Sequence, residues 1–193
     1  MAYHFSPVAN RVRREEGQHM RMAGVLQNAV AAGVLIHTLM AVQTGIQVYV
    51  MKKFEFGLLR KYIQDFRLSA LFLAPVTWKR IAEECSRQGL HSMRFAMSGA
   101  SPLSTELQRQ VSDLLPPGVN LKVNWGMTET SCGATQFSTT EVVDTEGRVG
   151  RLLPGMQAIV LSEDDDGKTR LGPEQLGELC IRGEYIPYNI PMD

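Results

Sequence analysis

Cysteine is scarce in this chain, and its arrangement excludes two classes of architecture. The three that occur, Cys85, Cys132 and Cys180, are odd in number, widely spaced and without a CxxC pair. Neither a disulfide framework nor a zinc site is built that way, so a reducing compartment is the natural setting. The four histidines, His4, His19, His37 and His91, also lack metal-ligand spacing. An excess of one charge is missing as well, since twenty basic residues offset twenty acidic ones. That balance offers no electrostatic footprint for nucleic acid or for an anionic membrane surface. A clean apolar run of membrane-spanning length is absent, because Gln27, Asn28, His37 and Thr38 interrupt the stretch from Ala23 to Val42. A buried core helix fits that stretch better than a membrane span. Residues 1–22 are polar and set Arg11, Arg13, Arg14 and Arg21 beside Glu15 and Glu16. A secretory signal has a shorter basic region and a cleaner apolar core, and the paired glutamates weigh against a mitochondrial leader. The expected location is cytoplasmic, with a peroxisomal or mitochondrial address left open.

What is present is a globular composition. With 193 residues, 44% hydrophobic and 21% charged, the chain is long enough to bury a real core as one large or two small domains. Its middle alternates strand and helix patterns. Gly45–Met51 is short and β-branched, which predicts a strand. Leu58, Leu59, Tyr62, Ile63 and Phe66 recur at helical spacing, with polar residues on the other face. Ala70–Ala74 is a continuous apolar run of the kind buried on both faces of a sheet. Trp78, Ile81, Ala82 and Cys85 mark a second helix, and Met93–Met97 a further strand. Ser104 is placed to cap a third helix carrying Leu107, Val111, Leu114 and Leu115, which Pro116-Pro117-Gly118 ends. Leu121–Asn124 is the next strand. Strands alternating with crossover helices predict an α/β fold with a parallel sheet. From about Thr139 the helical period fades, and Met156–Ser162 and Glu178–Arg182 read as strands. The expected organisation is a divergent segment over 1–24, a partial α/β subdomain over 25–138 and a small β-rich subdomain over 139–193.

Two chemical signals are decoys. Gly167-Lys168-Thr169 imitates the end of a phosphate-binding loop, but Ser162 stands where the first glycine belongs and four acidic residues precede it. A hairpin turn accounts for the segment better. The same acidic run fails as a calcium loop, because Ser162 and Pro173 occupy positions that need carboxylates.

The stretch "NWGMTETSCGAT", residues 124–135, carries more. It follows a predicted strand, at the end of a parallel sheet where ligands collect. The loop "SGASPL", from Ser98, follows another. Gly99 and Ala100 are small enough for a flat base to approach the backbone. Trp125 offers an aromatic plate, Thr128 a donor for a phosphate oxygen, and Glu129 a carboxylate for magnesium. Singly, these residues suit a core position, a helix cap and a solvated surface; as an ordered pair of loops they suit a nucleotide.

At these residues the chain resembles the adenylate-forming superfamily, and within it the acyl-CoA synthetases of the 4-coumarate–CoA ligase type. "SGASPLS" is similar to the family's small-residue loop, and "NWGMTETS" to its Tyr-Gly-Met-Thr-Glu signature. "GRVGRLLPGMQAIV" and "GELCIRG" follow in the family's order, and "VMKKFEFGLLRKYIQDFRLSALFLAPV" resembles the strand–helix–strand ahead of them. The resemblance runs from roughly Gly33 to Tyr185 and identifies an internal piece of a large N-terminal domain. It implies activation of a carboxylic acid by Mg-ATP to an acyl-adenylate with release of pyrophosphate, then displacement of AMP by the thiol of CoA. It further implies that Gly99 and Ala100 flank the adenine or acyl pocket, and that Trp125, within Asn124-Trp125-Gly126-Met127, stacks on adenine. By the same resemblance Thr128 contacts the α-phosphate and Glu129 binds magnesium, the pair forming the catalytic set. Ala100, Val123 and Met127 line the acyl side, and Lys53 aligns with a basic residue associated with CoA.

The sequence departs from the family in places. Val123 and Asn124 stand where a Gln-Gly pair is frequent, so acyl specificity does not carry over. No "SGTTGxPK" loop occurs, and the ribose-binding Thr-Gly-Asp and the C-terminal lysine are not among the 193 residues. Phosphoryl-type catalysis rests on positioning and electrostatics, so loss of several such groups removes turnover. The expected function is therefore a partial acyl-CoA ligase, inactive as this chain alone. The alternative is a non-catalytic remnant of the same fold that binds nucleotide or associates with an intact ligase.

Overall fold

Ala70–Leu73 is buried at all four positions, as a central parallel strand must be. It lies in the middle of a five-stranded sheet, every neighbouring pair of which is parallel. The computed structural model describes residues 20–25, 31–137, 147–164, 169–184 and 186. In chain order the strands of this sheet are β1 (Arg21–Gly24), β2 (Gln47–Val50), β3 (Ala70–Leu73), β4 (Phe95–Ser98) and β5 (Leu121–Val123). Their order in space is β2-β1-β3-β4-β5. β1 is not among the strands expected from the sequence, which treats residues up to 24 as a divergent segment. Its Met22 and Ala23 are nevertheless buried, and β1 joins β2 to β3. The apolar stretch from Ala23 thus begins as strand, and only its later part is helical. That helix, α1, is wound as a π-helix over Gly33–Met40 and continues as an α-helix over Ala41–Thr44. Gly45 closes it in the left-handed conformation, φ 77°, where a side chain would be strained.

The remaining helices fall where the sequence periodicity puts them: α2 (Phe56–Asp65), α3 (Pro75–Glu84) and α4 (Thr105–Leu114). Pro75 opens α3 in the first turn, where its missing N–H costs nothing. Ser104 caps α4 by accepting a hydrogen bond from the Leu107 N–H at 3.3 Å. One sheet face packs Leu71, Leu73, Ala96 and Leu121 against Leu59, Ile63, Trp78, Ile81 and Val111 from these helices. The other packs Met22, Phe72, Phe95 and Met97 against Ile36 and Met40 of α1. Two helix side chains also bond strand carbonyls inside the core. Trp78 Nε1 donates to Met97 O at 3.1 Å, and Gln108 Nε2 donates to Leu121 O at 2.8 Å.

Beyond β5 the texture is antiparallel: β6 (Thr135–Gln136) pairs with β7 (Arg151–Leu152), and β8 (Met156–Leu161) with β9 (Glu178–Gly183). Readings placed on residues 1–19, 26–30 and 138–146, and on Gly167 and Lys168, lie outside the described residues. Among the described residues no helix is long and apolar enough to cross a membrane.

Trp78 is fully buried, and Trp78→Phe keeps most of its volume while leaving the Met97 carbonyl without its indole donor. The expected loss is about 1–3 kcal/mol, read as a lower urea midpoint at unchanged slope. A midpoint equal to wild type would show that the bond contributes nothing to stability.

Candidate functional site

Parallel pairing brings two loops to one edge. β4 and β5 run in register, Met97 opposite Lys122 and Ser98 opposite Val123, and the ladder extends one step further through Asn124 N–H donating to Ser98 O at 3.0 Å. The chain segments that leave these strands, from Gly99 and from Asn124, therefore start side by side at the carboxyl end of the sheet. A Cβ placed on Gly99 would lie 2.3 Å from Asn124 Oδ1 and 3.2 Å from Phe72 Cζ. The Asn124 side chain occupies the space above Gly99, and a larger residue there, or a base approaching it, would have to displace that side chain. Ala100, next along, holds φ 70° and is exposed. A left-handed alanine is uncommon, and such strain collects at functional loops.

The second loop is pinned from behind. Trp125 N–H donates to Thr135 Oγ1 at 3.2 Å, while Trp125 O accepts from the N–H groups of Ala134 and Thr135 at 2.9 and 3.0 Å. Thr135 Oγ1 in turn donates to Val149 O at 2.7 Å. Between these anchors the chain closes tightly on itself. A Cβ on Gly126 would come within 2.0 Å of Cys132 O, so Gly126 serves loop closure. Thr128–Thr130 forms a single 3₁₀ turn, with Thr130 Oγ1 accepting from Met127 N–H at 3.0 Å and Cys132 N–H donating to Met127 O at 3.0 Å. Ser131 and Cys132 complete the reversal at φ 51° and 90°.

This frame buries Thr130 and leaves Met127, Thr128 and Glu129 exposed, with Val123, Asn124, Trp125 and Gly126 half-buried. The structure thus sets Gly99 beside Asn124 at two adjacent strand ends, with Ala100 and Trp125–Glu129 on the loops that follow. Lys53, exposed just beyond β2, leaves the same edge of the sheet at the far side, with β1 and β3 intervening before β4. Thr130 and Thr135 are the residues sequence reasoning missed. Their signal, a hydroxyl two residues after Thr128 and another at the end of the motif, has meaning only once the loop is closed.

Two polar atoms in this region are buried without a hydrogen-bond partner among the described residues, Ser98 Oγ and Asn124 Oδ1. Leaving such groups unpaired costs about 1–3 kcal/mol each, which proteins tolerate chiefly at working sites. No group of three metal-ligating side chains occurs among the described residues. Burial pushes the Cys132 thiol above its ordinary value.

The family model for AMP-binding enzymes matches residues 1–187 of the chain. Phenylacetyl-CoA ligase epaB of Aspergillus niger is 34% identical over 158 residues, which is 78% of this chain and 29% of that protein. 4-Coumarate–CoA ligase 3 of Arabidopsis thaliana is 32% identical over 158 residues, covering 79% of this chain and 27% of that protein. The chain thus spans less than a third of the length of these curated relatives. In three dimensions it superposes on MatB from Rhodopseudomonas palustris with a TM-score of 0.76 at 20% identity, over 93% of this chain and 35% of that one. That likeness establishes the fold, an α/β parallel sheet with helices.

Gly126→Ala forces a side chain against backbone, whereas Gly99→Ala presses first on the movable Asn124 side chain. Gly126→Ala is expected to cost the upper end of the overpacking range or more, about 3 kcal/mol, and Gly99→Ala about 1 kcal/mol. Urea denaturation checks the order, and equal losses would contradict the loop geometry. For Cys132 the thiolate is the reactive form, and raising the pKa removes it at neutral pH. Alkylation of Cys132 by iodoacetamide at pH 8 should run several-fold slower than that of free cysteine, by peptide mass spectrometry, and rise with pH beyond the ordinary thiol range.

Proposed function

The chain belongs to the AMP-binding enzyme family, and we propose that it supplies the adenine-, acyl- and CoA-facing part of an ATP-dependent acid–thiol ligase. The observation that carries this reading is the paired loop edge, where the Ser98–Asn124 backbone bond aligns the starts of the two loops, one carrying Gly99-Ala100 and the other the exposed Met127-Thr128-Glu129 turn. Trp125 provides a half-buried indole whose backbone is held at both its N–H and its carbonyl, so an adenine stacked on it loses little to loop motion. Thr128 heads the 3₁₀ turn, and its exposed hydroxyl is free to donate to an α-phosphate oxygen. Glu129 beside it is exposed, and one carboxylate together with substrate phosphates is the usual manner in which magnesium is held. When bound, the ion supplies charge neutralisation for the phosphate oxygens. Ala100, Val123 and Met127 border the acyl side, and Lys53 is assigned to the CoA side.

In the two-step reaction a carboxylate displaces pyrophosphate from ATP, and a thiol then displaces AMP from the resulting mixed anhydride. The residues described here bind and orient the adenylate in both steps. The sequence contains no cradle for the β- and γ-phosphates, so this chain alone is expected to bind without turning over. The names of the relatives support testing arylacetic and cinnamic-type acids first, with medium-chain fatty acids as the comparison.

Calorimetric titration with AMP and with non-hydrolysable acyl-adenylate analogues tests the reading. Saturable binding is expected, tighter for the acyl-bearing ligands. Trp125→Ala should lose the stacking contribution of about 1–3 kcal/mol, and Thr128→Ala should lose about 1.5–3 kcal/mol for a hydrogen bond to a charged group. Glu129→Gln should remove only the magnesium dependence. Pyrophosphate release on addition of acid and Mg-ATP should stay at background. Failure of both AMP and the analogues to bind would leave a scaffold without a working nucleotide site.

A further inference from the structure

The opposite edge of the sheet carries a second arrangement of chemistry-bearing side chains. β1, β3 and β4 are consecutive in space, with Met22 opposite Ala70 and Ala70 opposite Phe95. The residues one step earlier, Arg21, Ser69 and Arg94, therefore form a row along the amino-terminal edge. Backbone bonds lock that row, with Ser69 N–H donating to Arg21 O at 2.8 Å and Arg94 N–H to Ser69 O at 2.8 Å. Side chains alternate across a strand, so all three residues belong to the face opposite Met22, Ala70 and Phe95. Adjacent strands lie roughly 4.8 Å apart, which sets the Arg21 and Arg94 backbones about 10 Å from each other.

A third guanidinium joins them from the turn after α2. Arg67 holds φ 48° there, an uncommon conformation for a bulky residue. Arg21 Nη1 is tied to the same turn through Phe66 O at 3.1 Å. Ser92 Oγ donates to Leu68 O at 2.7 Å and closes the rim. Together with His91 these residues line a cavity of about 600 Å³, well inside the range of small-molecule sites. Among the described residues three arginines and no carboxylate line it, and none of the ion pairs involves Arg21, Arg67 or Arg94.

We propose that Arg21, Arg67 and Arg94 form a binding site for a small polyphosphate-bearing molecule, separate from the adenylate site at the other end of the strands. Guanidinium groups match phosphate oxygens two at a time, and their charge does not titrate away. Three guanidiniums lining one cavity supply more paired donors than a single phosphate engages, and suit a chain of two or three. Ser69 Oγ accepts from Arg21 N–H at 3.0 Å, which leaves its own O–H as a further donor for a phosphate oxygen.

Inorganic tripolyphosphate titrated into the 193-residue chain at constant ionic strength is the test. One saturable site is expected, weakened at least about tenfold in Arg94→Gln and in Arg67→Gln with melting temperatures unchanged. Lys79→Gln, which removes an exposed cation on α3, should alter affinity less than twofold. Saturating AMP should fail to displace tripolyphosphate, and both arginine variants should bind AMP as wild type does. Absence of saturable binding, an equal loss in Lys79→Gln, or displacement by AMP would overturn the proposal.

Discussion

The parallel registration of β5 on β4 is the constraint on which the candidate site depends. Parallel strands end at the same edge, so the loops that follow Ser98 and Val123 emerge together whatever their sequences. The backbone bond from Asn124 to Ser98 carries that alignment one residue past the strands. Gly99 then permits the two chains to close, since a Cβ there would meet Asn124 Oδ1 at 2.3 Å. Each later feature of the site inherits its position from this contact.

The frame behind the loops is more rigid than the loops' exposure suggests. Trp125 is held by Ala134 and Thr135, and Thr135 by Val149, so the first antiparallel pairing of the β-rich part serves as a backstop for the loop after β5. Gly126 and Gly150 both lie where a side chain would strike backbone, against Cys132 and Gln136 respectively. The glycines and hydroxyls of this region therefore serve closure first. The exposed Thr128 and Glu129 are what closure leaves available to a ligand.

The sheet separates two kinds of edge. Its carboxyl end presents a turn with one carboxylate and an indole, while its amino end gathers three guanidiniums around a cavity. Both arise from the same parallel order, because residues just outside adjacent parallel strands are aligned in rows. The first row comes from two loops already conspicuous in the sequence. The second comes from Arg21, Arg67 and Arg94, which are scattered over more than seventy positions and show no motif at all.

The helices were legible because they announce themselves locally. Leu59 and Ile63 share a face at a spacing of four, and Ser104 stands at the cap of α4 where its side chain accepts from Leu107. β3 was legible as a short apolar run before Pro75. β1 was not, because Arg21-Met22-Ala23-Gly24 has neither β-branched residues nor alternation, and only its neighbours β2 and β3 make it a strand. The order of loop motifs identified the family, since a signature such as Trp125-Gly126-Met127-Thr128-Glu129 is written in consecutive residues. That Asn124 fills the space over Gly99, that Thr135 anchors Trp125, and that three distant arginines share one cavity depend on strand order and register. Sequence determines what is encoded within a few residues of chain. Tertiary structure alone decides which of those short segments become neighbours, because pairing between strands is fixed by the packing of the whole sheet.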